Sequence, residues 1–475
     1  MLEGIPNVKY CDPFDKIKRA SVISFDIFDT AILRPFLHHH DMYHILEKSI
    51  GVEKFHNTRI AAEVKARKNI IEKGIKEDIN LLDIYENIGI NVQKAINVEI
   101  TIDVSICLQR SYVYKLYQFA LNLGKKVIFT SDITYPKKAI IEILHKNGYD
   151  KYHALYISSE EMLSKAKGGL YKRIIDDLDV NPSKILHIGD SINSDIQQAK
   201  LNGVQSLYIP RPYHEITSIL KKSQYNLRSS AINSAIFACA ANVMFNNPSD
   251  DVSTKSLITM PICFYFVQEL AKQDNEKPLV ALIHSNHTNT IFHVCNTLYK
   301  KIYGKTIQFR EININHIYAS SIRTLIDLQT IAKSLTTTDF QCFLKECYGI
   351  NTSNTQDLLL SWHNIEMVSL RLRQEVIEKL SGIQNFTVCD FTFESHMQIT
   401  LQKILNNAIS SYKDSQSIIL KQIDKLTKHS FLVKPSPHKL LLEMHSLTNE
   451  EVQRYIIPQI SQLSEKLGQY IDKMQ

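Results

Sequence analysis

A chain of 475 residues, 44% hydrophobic and 22% charged, has the composition of an ordinary globular protein with room for about two to four domains. The net charge of +6 is mild for this length; it suits an anionic substrate but forms no basic arm, so no nucleic-acid partner is expected. Eight cysteines form no CxxC pair and no Cys/His cluster at zinc spacing, and most lie in apolar runs as small hydrophobes of a reducing interior. The opening MLEGIPNVKYCDPFDK lacks the apolar core of a signal peptide, and no run reaches the roughly 18 apolar residues of a membrane span. Cytoplasmic residence is the expectation, with export without a cleaved leader left open.

In chain order, the apolar run Ala20–Phe25 breaks at the polar cluster Asp26–Thr30 and predicts a buried strand ending in a functional turn. DMYHILEKSI, RIAAEVKARKNIIEKGI, NLLDIYENIGI and RSYVYKLYQFALNLG then carry apolar residues at helical spacing across residues 41–122. Strand returns with KKVIFTSD, followed by the helix PKKAIIEILHKNGY, the strand HALYISSE and the helix around GLYKRIIDDL. The strand KILHIGD, the helix SDIQQAKLNG and the strand QSLYIP complete the alternation. Strands alternating with helices predict a parallel α/β sheet covered on both faces. The roughly 80 helical residues between the first two strands are too many for one crossover and predict a separate cap. The expected division is therefore a core of 18–40 and 123–212, a helical cap of 41–122, and a second, irregular α/β domain of 216–475. In that last part PLVALIHSNHTNTIFHVCNTLYKKI and NFTVCDFTFESHMQITLQKIL read as strand, turn and helix. TIQFREININHIYAS reads as one or two strands, and the tail from about 410 as helical, with Thr448 and Glu451 as a capping box.

Four features fall at the carboxyl ends of four predicted strands: Asp26 with Thr30, Ser131, Lys165, and Asp190 with Asp195. Ligands of an open parallel sheet bind there, so these groups can converge despite their separation in sequence. A carboxylate on a short turn can attack phosphorus and form an aspartyl-phosphate, dividing one difficult displacement into two steps. Carboxylates, carbonyls and waters suit Mg²⁺, while a hydroxyl and an ammonium hold the phosphoryl oxygens that do not transfer.

The same residues resemble the haloacid dehalogenase superfamily. FDIFDT, the strand-terminal Ser131, Lys165 and GDSINSD match its four motifs in order and spacing over about residues 18–212, and the helical insert resembles its cap. SFDIFDTAILRPF, GKKVIFTSDITYP and ISSEEMLSKAKGGLY are further similar to a bacterial subgroup often linked to surface-polysaccharide gene clusters. The resemblance implies a doubly wound parallel sheet and a Mg²⁺-dependent phosphatase acting on a small phosphorylated substrate or on phosphate carried by a larger acceptor. It also implies roles. Asp26 is the nucleophile and a metal ligand, the Phe28 carbonyl and Asp190 are further ligands, and Ser131 and Lys165 bind the phosphoryl group. Thr30 fixes the loop, and Asp195 supports the metal or pairs with the lysine. Lys165 is preferred over its neighbour Lys167, and Asp195 serves equally well as a helix N-cap.

One departure bears on turnover. Phosphatases of this superfamily carry a general-acid Asp two residues after the nucleophile, where this chain has Phe28; such a loss typically costs on the order of 10²–10⁴ in rate. Asp29 replaces it only if the turn bends, because on an extended strand it faces away from Asp26. Dehalogenases also carry an aromatic here, so three readings stand: a phosphatase, a binding or interaction protein without turnover, and a dehalogenase. His38–His40 reads as a solvated turn at the cap hinge, Arg34 as a substrate-facing cation or a surface ion pair, and Arg59, Glu63 and Arg67 as mutual i, i+4 pairs. Trp362 reads as packing. The second domain lacks the glycines of a phosphate loop, so packing or a protein partner is its expected role. This half also resembles the downstream domain of longer members of that subgroup, a resemblance that places HIYASSIRT at an arginine-containing strand end and Asp390 as an acidic residue at a turn.

Overall fold

Val22–Phe25 forms β1, buried along its whole length, as the central strand of a sheet covered on both faces must be. Its neighbours are β4 (Lys126–Ser131) and β6 (Ile185–Gly189), both parallel to it, with Phe25 opposite Phe129 on one side and Ile188 on the other. With β5 (Ala154–Ile157) and β7 (Gln205–Tyr208) the order is β5-β4-β1-β6-β7. The chain winds outward from β1 through β4 to β5, then returns to β6 on the far side of β1. The carboxyl ends of β1 and β6 therefore flank the switch point where such sheets bind ligands. The computed structural model describes residues 12–70, 73–74, 76–214, 216, 231–246, 254–271, 279–283, 286–335, 337–351, 354–380, 387–390, 411–414 and 448–474. None of its helices is long and apolar enough to cross a membrane.

The insert after β1 holds α2 (Tyr43–Ile50), α3 (Phe55–Ile70), α4 (Leu81–Tyr85) and α5 (Val92–Ile106). Its two ends are tied by a short antiparallel ribbon of β2 (Ile32–Leu33) and β3 (Leu108–Gln109). The helix Ser111–Asn122, expected with the cap, packs instead against the sheet. Its Tyr117 ring meets Phe25 and Phe129, so this helix serves as the crossover into β4. Inside the insert Arg59, 1% exposed, donates two hydrogen bonds of 3.0 Å to Glu99, and Glu63 bridges Arg59 and Arg67 as the helical spacing implies.

The contacts divide the chain into Met1–Ser253 with Pro458–Gln475, and Thr254–Ile457, rather than at 216. The helix Ala231–Met244 explains part of the difference. It is apolar all round and so needs cover on every side. Ser234 accepts from the Leu37 N–H at 2.9 Å, and the Asn242 amide donates to the Arg34 carbonyl at 3.2 Å. At the far end, Lys473 reaches Ser49 at 3.1 Å.

The second unit has its own parallel sheet of β8 (Leu279–Ile283), β9 (Phe309–Asn313), β10 (Thr387–Asp390) and β11 (Ser411–Asp414), ordered β11-β10-β8-β9. Its core gathers Val280, Leu282, Ile312, Phe343 and Ile365, and Trp362 packs against it. Two expectations change here. Residues 411–414 are strand, not helix, because they pair in register with β10. HIYASSIRT is no strand end: a helix runs over Ile314–Ser321, and the Arg323 N–H donates to Asp327 at 3.0 Å beside the next helix's capping box. Asp390 ends β10, and the helix expected after it lies outside the described residues. The Thr448–Glu451 box forms as read, with Thr448 Oγ1 donating to Glu451 at 3.0 Å.

Candidate active site

Asp26 follows β1, its N–H still donating to the Ile188 carbonyl at 2.9 Å, and the chain then turns sharply. Asp29 takes φ 62°, and Ile32 N–H closes back on the Ile27 carbonyl at 2.7 Å. The turn thus bends at the residue where the sequence left the question open, and Asp29 lines the same cleft as Asp26. Among the described residues the Phe28 carbonyl accepts no hydrogen bond.

The strand ends bring the candidates together. Lys165 Nζ stands 2.5 Å from Asp26 Oδ1 and 2.7 Å from Asp195 Oδ1, all three side chains buried, whereas Lys167 is exposed. Thr30 Oγ1 donates to Asp190 Oδ1 at 3.0 Å. Ser131 ends β4 in the cleft, 2% exposed, its hydroxyl without a hydrogen-bond partner among the described residues. Asp195 is not a helix N-cap: Ser191 takes that place, and Asp195 Oδ2 accepts from the N–H groups of Asp190 and Ser191 at 3.1 and 2.9 Å. That carboxylate lies so close to Gly189 that a Cβ there would collide with it.

Several site residues had no place in the sequence reading. His187, fully buried in β6, links Asp195 at 3.2 Å to Ser24 at 2.8 Å, and Ser24 meets Thr130 at 3.0 Å. A hydrogen-bonded chain thus runs across three strands beneath Lys165. The available signal was polar residues inside apolar strands, which need partners when buried. Asp132 accepts from the N–H groups of Lys165 and Ala166 at 2.8 and 3.1 Å, pinning the lysine loop. Arg211, just after β7, pairs with Asp190 and stands 3.4 Å from Asp29. Arg110, also fully buried, donates to the carbonyls of Asp29, Pro210, Phe245 and Asn246 at 3.0–3.3 Å. Burial lowers its pKa to about 10.

One expectation around the rim changes. Arg34 is no surface pair: it lines the cleft, clamps Asp103 of α5 at 2.5–3.1 Å, and its guanidinium lies 3.8 Å over the Phe28 ring. His39 is exposed, as the solvated-turn reading expects, and it also lines the cleft, where partial desolvation, reinforced by His40 and Arg34, lowers its pKa to about 3.

Electrostatically the cleft is acidic. Burial pushes Asp26 up to about 8 against the pull of Lys165, with Asp195 and Asp190 adding to the rise. Burial opposes ionisation of Asp195 too, but Lys165 and His187 hold its carboxyl well below the usual range. Lys165 keeps its charge despite burial because Asp195 and Asp26 face it. One oxygen each of Asp26, Asp190 and Asp195 lies within 4.8 Å of the others. Together with Asp29, four carboxylates face the two cations Lys165 and Arg211, a negative excess that suits a divalent ion with hard oxygen ligands. The residues present fit such an ion. The cleft has a volume of about 330 Å³, enough for a small substrate.

The strand ends of this parallel sheet thus carry a buried lysine–carboxylate cluster. Residues 22–203 match the family model described as haloacid dehalogenase-like hydrolase. Similar solved structures include a haloacid dehalogenase family enzyme from Bacteroides thetaiotaomicron in complex with magnesium and inorganic phosphate. It is 15% identical, with 40% of this chain and 95% of that one covered and a TM-score of 0.29. The L-2-haloacid dehalogenase of Xanthobacter autotrophicus is 12% identical, covering 43% and 83%, at a TM-score of 0.29. A haloacid dehalogenase-like hydrolase of Xanthomonas campestris is 15% identical, covering 41% and 82%, also at 0.29. No curated protein sequence matches the chain.

Proposed function

We propose that the protein is a magnesium-dependent phosphohydrolase that acts through an aspartyl-phosphate at Asp26, on a small phosphomonoester or on phosphate carried by a larger acceptor. The observation that carries this reading is the Asp26–Lys165 pair inside a cluster of three buried carboxylates at the strand ends. An Asp26 oxygen bonds to phosphorus as the bond to the leaving oxygen breaks; water then attacks the acyl phosphate, releasing phosphate and restoring the carboxylate. Ser131 and Lys165 hold the phosphoryl oxygens that do not transfer, Lys165 as a fixed ammonium held in place by Asp195. Asp26, Asp190 and the Phe28 carbonyl would hold the magnesium, with Thr30 and Asp195 orienting the carboxylates and the loop. When bound, the ion neutralises phosphoryl charge and orients the group for in-line attack.

The leaving oxygen still needs a proton. Phe28 has none to give, and Asp29, although turned into the cleft, faces Arg211. Aryl and acyl phosphates, whose leaving groups need little protonation, are therefore the favoured substrates, with alkyl esters slower by about 10²–10⁴. The second reading, a pocket that binds without turnover, is favoured by Arg34 lying over Phe28 while clamped by Asp103. The place of the absent acid is thus part of the packing.

The test is hydrolysis of an aryl phosphate with and without Mg²⁺, by the parent and Asp26→Asn. The expected result is phosphate release that needs both. With no Asp26-dependent release, the binding reading takes over. Asp26-dependent halide release from a 2-haloacid without Mg²⁺ would redirect the assignment to dehalogenation.

A further inference from the structure

A second group of ligating side chains lies in the insert, built from residues that the strand-end site does not use. Asp41 belongs to the 3-10 turn His39–Met42 and His44 to α2, which continues it; their i, i+3 spacing puts both on one face. Gly51 then ends α2 in the left-handed conformation, φ 77°, and the chain reverses into α3, whose second residue is His56. One ligand atom from each of Asp41, His44 and His56 lies within 4.8 Å of the other two. The two imidazoles are stacked, centroids 4.0 Å apart and planes 11° from parallel, and all three side chains are half-buried.

The groups behind these residues orient them. The fully buried Ser234 donates to Asp41 Oδ2 at 2.5 Å, fixing the carboxylate and leaving its other oxygen available. His56 Nδ1 stands 3.3 Å from Asn57 Oδ1; a proton on Nδ1 leaves the Nε2 lone pair open. Glu47 accepts from the Lys54 and His56 N–H groups at 3.1 and 3.3 Å, holding the turn that presents His56.

We propose that Asp41, His44 and His56 form a binding site for a divalent transition metal of the zinc class, separate from the magnesium-type site at Asp26. Two imidazole nitrogens and one carboxylate oxygen suit zinc, cobalt or iron(II), whereas Mg²⁺ prefers oxygen ligands only. Metal–ligand bonds of about 2.0–2.1 Å need ligand atoms about 3.4 Å apart in a tetrahedron. The three ligand atoms now lie within 4.8 Å of one another, and the half-buried rings would turn to close that spacing around an ion. Three protein ligands leave a further position for water or an outside donor. A bound ion would join α2 to α3 and, through Ser234, to the helix Ala231–Met244. The competing account, a stacked imidazole pair that only packs the α2–α3 turn, requires no metal affinity.

The experiment uses the full chain, stripped with chelator, saturated with Mg²⁺ to fill the oxygen-ligand site, and titrated with Co²⁺. One equivalent should bind with a visible ligand-field band that Zn²⁺ abolishes. His44→Gln and His56→Gln should each weaken Co²⁺ binding by about 10–100-fold, while Asp26→Asn leaves it unchanged. Co²⁺ binding that vanishes in Asp26→Asn, or that survives intact in both histidine variants, overturns the proposal. Should those variants fail to fold, X-ray absorption of the Co²⁺-loaded parent decides: imidazole scattering supports the site, and an oxygen-only shell rejects it.

Discussion

Each unit is built on a parallel sheet, and each sheet has polar residues where strands end, but they are put to different use. In the first unit the groups after β1, β4 and β6 turn toward one cleft, where Asp26, Ser131 and Asp190 share space with Lys165. In the second, Asn313 at the end of β9 turns back on its own helix, accepting from the Asn315 N–H at 2.8 Å. Ile283, which ends β8, brings no polar group at all. A parallel sheet supplies a row of strand ends; chemistry arises only where their polar groups are left over from local capping and find a common counter-charge. Lys165, held between Asp26 and Asp195, is that counter-charge in the first unit.

The strongest challenge to this contrast is Asp26→Asn. It keeps the shape and removes the proposed nucleophile, so the proposed aryl phosphatase rate should fall by at least about 10⁴-fold, as read by phosphate release in Mg²⁺. Phe28→Asp comes next. A carboxyl at this position should raise turnover of alkyl phosphates by about 10²–10⁴ without a matching gain on aryl phosphates. Arg34 makes the outcome informative, since its guanidinium now lies over the ring and is already committed to Asp103. A stable variant that is inert on both substrates would count against Asp26 as the reacting group, not merely against the acid.

These two substitutions rest on residues that were legible in the sequence, because a polar residue that ends an apolar run stands out. Ser24 and His187 were half legible: each interrupts a buried strand, but only the register that sets them side by side reveals their bond. Arg211 and Arg110 were not legible. An isolated arginine looks like any solvated one until β7 and the ribbon of β2 and β3 bring it under the turn at Asp29. The three consecutive histidines read as a solvated turn, and His38 and His39 are exposed; that the 3-10 turn also brings His39 to the wall of the cleft was not legible from the run alone. The unit boundary escaped because the partners of Ala231–Met244 lie about 200 residues earlier, beyond any local pattern.

Arginine also sharpens the comparison of the two units. Arg110 donates to four carbonyls from a fully buried position, while Arg373 in the second unit donates to the Ser320 and Ile322 carbonyls from a half-exposed one. Arg110→Met strands buried acceptors and should cost about 2–3 kcal/mol. Arg373→Met lets water replace the lost bonds and should cost about 1 kcal/mol. Urea denaturation with hydrogen exchange resolved by segment measures both; equal losses would mean that burial is not what separates them.

The smallest effect is the most direct probe of the opening contrast. Asn313→Ala removes a cap and should cost about 1 kcal/mol in the second unit, with kcat on aryl phosphate unchanged. Asn313→Asp keeps the cap and places a carboxylate on that strand end, so it reproduces the chemistry of Asp26 without its surroundings. If a strand-end carboxylate sufficed, this variant would gain Mg²⁺ affinity, seen as a second binding event by calorimetry. None is expected, because the Asn315 N–H already takes the capping oxygen. A gain would show that position on a parallel sheet, rather than the convergence around Lys165, makes the site.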